Sequence, residues 1–351
     1  MSTATPSPAR TPDIQRTKLD IVYSAFVDTD VHKVSSKTAL EAGLEAVRAE
    51  ARALGGDPNV ATPAFKDVAE PVLADFKEWA SAVSQIASRT PELSADRIAR
   101  AAILGMIATS PDCHTYYIDV RGRHDSRPVR ETGTANPAPP DGRVVSPPDE
   151  AGLTARILDG GVAWVRWREF RVTGTYDIRA KVKAILEAAL AAGAKAWLFD
   201  MRGNVGGNGP EIIASYFLKD EAPMEVHVRT GKAGVRTANP AFRLPEAYQL
   251  PIALIQNGQG GSAPEILSLF LKETKRGTIV GQRSIGCIGS ASPTAMPDGT
   301  QLYVVAEEYV GAITGTRYNN VGVTPDVEAT DAAAIDTAAK LLKDKIAKGT
   351  T

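Results

Sequence analysis

Two hydrophobic periods divide the chain. Between residues 14 and 108 apolar residues recur every three or four positions, as on one face of a helix; Leu19, Val22, Tyr23, Phe26 and Val27 open the series. The pattern predicts one helix from residue 14 and a second over 37–54, closed by Gly55-Gly56-Asp57-Pro58. A third is predicted over 65–87, with Phe76 and Trp79 inward, and a fourth over 94–108, opened by Ser94. Together they make a small N-terminal helical bundle. From residue 153 short apolar runs alternate with helical stretches. Strands are predicted at 161–167, 196–200, 225–229, 251–256, 278–281 and 301–307, and helices at 176–192, 210–218, 265–275 and 331–348. Such alternation predicts an α/β core with a largely parallel sheet and functional loops at the C-terminal strand ends.

Between the two regions, residues 121–150 hold six prolines and many small polar residues, the composition of a linker. The expected layout is therefore a leader at 1–13, a helical domain at 14–120, a linker at 121–150 and an α/β core at 151–351. A net charge of −1 gives no electrostatic reason to expect nucleic acid or an anionic membrane as partner. No apolar run is long enough to span a bilayer. The first residues, polar and rich in Pro, Ser and Thr, lack the apolar stretch of a secretory signal. A cytoplasmic protein is expected. The two cysteines, Cys113 and Cys287, cannot build a disulfide scaffold.

Chemistry concentrates in three places. Ser262 stands where the apolar run 251–256 turns, through Asn257-Gly258-Gln259-Gly260-Gly261, into a helix. That position surrounds a hydroxyl with unpaired backbone N–H groups and the positive end of a helix dipole. It suits a nucleophile, and equally an N-cap with Glu265 three residues on as capping-box partner. The loop Asp200-Met201-Arg202-Gly203-Asn204-Val205-Gly206-Gly207-Asn208-Gly209 lacks the Lys-Ser/Thr pair of a phosphate-binding loop. Its glycines allow either a tight turn or N–H groups offered to an oxyanion. His114, in Pro111-Asp112-Cys113-His114-Thr115, is one of four histidines and a candidate base. Cys113, His114 and Cys287 lack the spacing of a zinc site, and no cofactor motif is present.

These residues fall into a pattern that resembles the S41 serine peptidases: the tail-specific, C-terminal processing and tricorn-like proteases, with related retinoid-binding modules. Asp112-Cys113-His114-Thr115 is similar to the family's Asp-x-His-Thr turn, and residues 200–207 to its Asp-Leu-Arg-Gly-Asn-x-Gly-Gly loop. Ser262-Ala263-Pro264-Glu265-Ile266 resembles its Ser-Ala-x-Glu-Ile nucleophile turn. Residues 280–286 resemble its Gly-Glu-x-Thr-x-Gly strand, and Gly322-Val323-Thr324-Pro325-Asp326-Val327 its Gly-Val-x-Pro-Asp segment. The likeness spans residues 14–327. It implies a crotonase/ClpP-like core with a mixed, largely parallel sheet beside the helical bundle. It also implies Ser262 as nucleophile, with Ala263 and either Gly206 or Gly207 supplying oxyanion N–H groups.

The family divides on the base. Tail-specific members place a Lys where this chain has Cys287, so the Ser–Lys pair is absent. Tricorn-like members use the His of the helical-domain turn, here His114. Where they carry an acid to orient that His, this chain has Tyr318-Asn319-Asn320-Val321. Asn319 is then the candidate orienter, with Glu307, Glu308 and Asp112 as others. The resemblance further implies that Cys113 and Cys287 are thiols lining the substrate cleft, Cys287 being an alternative nucleophile. The family's PDZ domain follows the His-Thr turn; the 121–150 segment is too short for one.

The leading expectation is a cofactor-free serine hydrolase cleaving a peptide bond through an acyl-enzyme on Ser262. Two alternatives keep the fold. One is a specialised hydrolase, acyl-transfer or cyclising enzyme for a small amide or ester. The other is a non-catalytic ligand-binding module like the retinoid-binding relatives.

Overall fold

A computed structural model describes residues 13–110, 112–125 and 140–349. The leader expected at 1–13 therefore lies almost wholly outside the described residues, as does the middle of the 121–150 segment. The described residues form two compact units, one comprising 13–125 with 290–306, the other 140–289 with 307–349.

The first unit is built on the helices Asp13–Thr29, Ser36–Ala53, Leu73–Ser88 and Ala95–Ile107. Ser35 and Ser94 cap the second and fourth, each side chain accepting from the N–H three residues on. The third helix starts at Leu73, eight residues later than the apolar spacing predicts. Pro71 keeps the preceding residue out of helical geometry, and Phe65 is buried from an extended segment instead. The apolar spacing otherwise holds: Val22, Tyr23, Phe26, Leu40, Leu44, Phe76, Trp79 and Ile103 share one core. A short sheet joins them. Tyr116–Ile118 pairs antiparallel with residues 301–303 and with His124–Asp125. Met296, Leu302 and Val304 enter the helical core, which ties residues 290–306 to this unit although residue 290 stands 183 positions beyond Ile107, the end of its last helix.

The second unit centres on one seven-stranded sheet. Its order is Val327–Glu328, Gly277–Gly281, Ile252–Gln256, Ala196–Asp200, Val162–Arg166, Thr154–Leu158, Arg143–Ser146. The first five run parallel and the last two antiparallel, the mixed sheet that the βα alternation implies. Arg143–Ser146 lies in the proline-rich segment expected to be linker. The central strands are buried throughout because both faces are covered. Trp164, Leu198, Ala253, Ile255 and Val280 meet Ala334, Ala338 and Leu342 of the C-terminal helix Ala334–Lys348. Val165, Phe199, Leu254 and Ile279 face the helices Ile178–Ala191, Pro210–Ser215 and Ala263–Glu273. Three neighbouring parallel strands thus end at Asp200, Gln256 and Gly281, and the three loops that follow them build the site. No helix among the described residues is long and apolar enough to cross a membrane.

Candidate active site

The loop after Ile252–Gln256 brings Ser262 to the N-terminus of the helix Ala263–Glu273 at φ 71° and ψ −118°. A non-glycine residue there carries backbone strain of order 1–3 kcal/mol, the mark of a nucleophile elbow. Ser262 is half-buried. Glu265 holds the strained turn from the next helical turn. Its carboxylate accepts the Ser262 N–H at 2.9 Å. Ser262 and Glu265 together form a capping box, and the Glu265 N–H also meets the Ser262 carbonyl oxygen at 2.9 Å.

The same carboxylate reaches the third loop. It accepts from Ser284 Oγ, from the Gly286 N–H at 2.7 Å and from the Cys287 N–H at 2.9 Å. Burial pushes the Glu265 carboxyl above its ordinary value; these donors hold back part of the rise. Ser284 Oγ also accepts the Val323 N–H at 2.8 Å, and Gly286 O accepts the Asn320 N–H at 2.7 Å. One buried carboxylate therefore fixes both the Ser262 turn and the 284–287 segment.

The glycine loop packs against the opposite side of the serine. A Cβ on Gly206 would stand 2.9 Å from Ser262 Cβ, 3.4 Å from its Oγ and 2.8 Å from Gly261 O. Only glycine fits there, and at φ 92° it is also the residue the backbone favours. The buried Asn204 builds this loop. Its amide donates to Trp167 O at 3.0 Å, its Oδ1 accepts the Gly206 N–H at 2.9 Å, and its main-chain oxygen accepts the Gly261 N–H at 3.2 Å. Behind it Asp200 and Arg202, both buried, pair through two bonds of 2.8 and 2.7 Å.

The Gly206 N–H is committed to Asn204. Among the described residues the N–H groups of Gly207 and Ala263 have no intramolecular partner. Two such donors beside a strained serine are the arrangement that an acyl-transfer mechanism needs.

The remaining candidates are placed as follows. Cys287 is 1% exposed. Among the described residues no cysteine carries a free thiol, so the cleft thiols expected at Cys113 and Cys287, and Cys287 as an alternative nucleophile, are not retained. Oxidised sulfur offers no thiolate. Asn319 is buried and its Oδ1 accepts the Ile288 N–H at 3.0 Å, anchoring the end of the third loop. Glu308 pairs with Arg317, and Glu307 with Arg236. In the first unit His114 follows the buried Asp112, whose Oδ1 accepts the His114 N–H at 2.8 Å and stands 3.4 Å from its Nδ1. Cys113 Sγ lies 3.4 Å from the same Nδ1. The parts that sequence reasoning missed, Asn204 and the full reach of Glu265, are hydrogen-bond destinations that no spacing encodes.

Residues 161–329 match the model of peptidase family S41. That stretch, 169 of the chain's 351 residues, is similar to that family. It is 29% identical over 156 residues to a chloroplastic carboxyl-terminal-processing peptidase 2 of Arabidopsis thaliana, covering 44% of this chain and 30% of that protein. It is 25% identical over 186 residues to a carboxy-terminal-processing protease of Bartonella bacilliformis, covering 48% and 39%. The chain thus spans well under half the length of these relatives. Two solved structures share the fold over nearly their whole length: a lipoprotein of Streptococcus agalactiae and a protein of Parabacteroides merdae. Both superpose with a TM-score of 0.53, at 14% and 18% identity, covering 88% and 89% of this chain.

Proposed function

We propose that this chain is a serine peptidase that cleaves a peptide bond through an acyl-enzyme on Ser262. The observation that carries the reading is Ser262 at φ 71°, clamped through its N–H by Glu265, with the Gly206 turn against its side chain. In this mechanism His114 takes the Ser262 proton as Oγ attacks the substrate carbonyl. The Gly207 and Ala263 N–H groups take the negative charge that forms on the carbonyl oxygen. His114 then protonates the leaving amine, and a water molecule, deprotonated by the same imidazole, releases the acyl group. His114 is assigned as base on the Asp-x-His-Thr resemblance and because residue 287 is Cys where the Lys of a Ser–Lys pair would stand. Asn319, pinned at its Oδ1, holds the neighbouring segment in the same scheme.

The test is a fluorophosphonate probe read by mass spectrometry, alongside hydrolysis of an unstructured peptide. Adduct on Ser262, and loss of both adduct and hydrolysis in Ser262→Ala, is the expected result. Full peptide hydrolysis by purified Ser262→Ala sinks the mechanism.

A further inference from the structure

Asp112 meets two histidines. Its side chain is wholly buried. Oδ1 takes the His114 N–H at 2.8 Å and lies 3.4 Å from His114 Nδ1, while Oδ2 lies 3.1 Å from His32 Nε2. His32 is held for this contact: its own N–H donates to Asp30 Oδ1 at 2.8 Å, and the neighbouring Val31 N–H donates to Val305 O at 3.1 Å. The carboxylate thus stands between two imidazoles, one oxygen toward each. Nothing in the S41 resemblance gives residue 32 a role.

We propose that Asp112 is the residue that positions His114, and that His32 sets how much of the Asp112 charge His114 experiences. The proposal rests on His114 being the base of the reaction proposed above. A carboxylate beside Nδ1 holds the imidazole ring in place and stabilises the positive charge that a base takes on in the transition state. A second imidazole on the far oxygen, when charged, offsets part of that negative charge. When neutral it leaves the full charge to His114. The titratable groups facing His32 are Asp112 and Asp30, and those facing Asp112 are His32, His114 and Asp30. The hydrogen bond to Asp112 raises the His32 pKa above its ordinary value, so His32 keeps its charge to higher pH than a free imidazole. Burial raises Asp30 in turn, and the Asp112 charge adds to that rise.

Two variants separate positioning from packing. His32→Gln keeps an amide against Asp112 Oδ2 and removes the charge. Losing one positive charge on the order of 8 Å from the base moves the acidic limb of the kcat/KM profile up by about half a pH unit. Asp112→Asn keeps the shape and removes the negative charge; the limb moves down, and kcat falls at least about tenfold as the ring loses its orienting carboxylate. The second readout needs no turnover. The His32 imidazole, followed by NMR among only four histidines, titrates at lower pH in Asp112→Asn and at higher pH in His114→Gln, since His114 competes for the same carboxylate. A His32 midpoint unmoved by His114→Gln, or an acidic limb unmoved in active His32→Gln, overturns the coupling. If the parent hydrolyses no peptide, the function proposed above has failed, while the NMR comparison still decides the array.

Discussion

The conformation of Ser262 makes a prediction that separates chemistry from stability. At φ 71° and ψ −118° any residue with a Cβ is strained, by about 1–3 kcal/mol. Ser262→Ala keeps the Cβ and therefore keeps the strain. Ser262→Gly removes it, at an unfolded-state entropy cost of about 0.5–1 kcal/mol. The difference puts the Gly variant about 1 kcal/mol above the Ala variant, the reverse of the order at an ordinary position. Urea unfolding followed by tryptophan emission reads this out, because Trp164, Trp167 and Trp197 are all buried in the unit that holds Ser262. With a slope of about 2–3 kcal/mol per molar urea, the midpoints differ by about 0.3–0.5 M. Neither variant accepts a fluorophosphonate. A Gly variant equal to or less stable than the Ala variant refutes the claim that the turn is strained.

The clamp at Glu265 is tested by Glu265→Gln, which points an amide N–H₂ at two of the four donors now satisfied; a loss of about 2–4 kcal/mol is expected. Fluorophosphonate labelling of Ser262 slows with it, and labelling at the parental rate counts against a positioning role. At Gly207 an alanine Cβ would lie 2.2 Å from Phe170 O. Gly207→Ala must displace the loop and cut kcat/KM at least about 100-fold; activity within a factor of three of the parent removes Gly207 from the oxyanion hole. The raised His32 pKa has its own stability signature. A histidine whose folded pKa lies above the unfolded one stabilises fully below about pH 6.5, and the gain is lost as pH rises through the folded value. Stability of the first unit, followed through Trp79, the one Trp in that unit, therefore falls as pH rises above the ordinary histidine range, and His32→Gln flattens the slope.

Much of this protein was legible from period alone. The four helices of the first unit and the buried strands of the second follow apolar spacing, because in both the dominant force is burial of one face or two. The Ser262 turn was legible because a short buried run, five polar or glycine residues and an apolar helix leave few other geometries. The places where local reading failed have a common cause. Pro71 delays the third helix by a backbone clash that the Phe65, Phe76 and Trp79 pattern does not register. Residues 290–306 return to the helical unit because Met296, Leu302 and Val304 pack there, and packing partners at that separation leave no trace in spacing. Gly206 and Gly207 are neighbours of one type; what separates them is where Asn204 Oδ1 points.

The same limit explains why the capping-box reading of Ser262, which the structure bears out, did not reveal its strained backbone. A Ser with Glu three residues on is the spacing of a helix cap and of this nucleophile turn alike. A capping serine takes extended backbone angles and spends its hydroxyl on the N–H three residues later. Here φ is positive, and the main-chain carbonyl also takes that N–H. Glu265 keeps the other half of the box and carries it further, into Ser284, Gly286 and Cys287. The carboxylate that secures the helix start thus also fixes the 284–287 loop. A single substitution at Glu265 therefore perturbs the nucleophile and the 284–287 loop together. Substitutions at Ser262 and Ser284 perturb them one at a time, so their effects on unfolding should fall short of additivity, as expected for two residues joined through one buried acceptor.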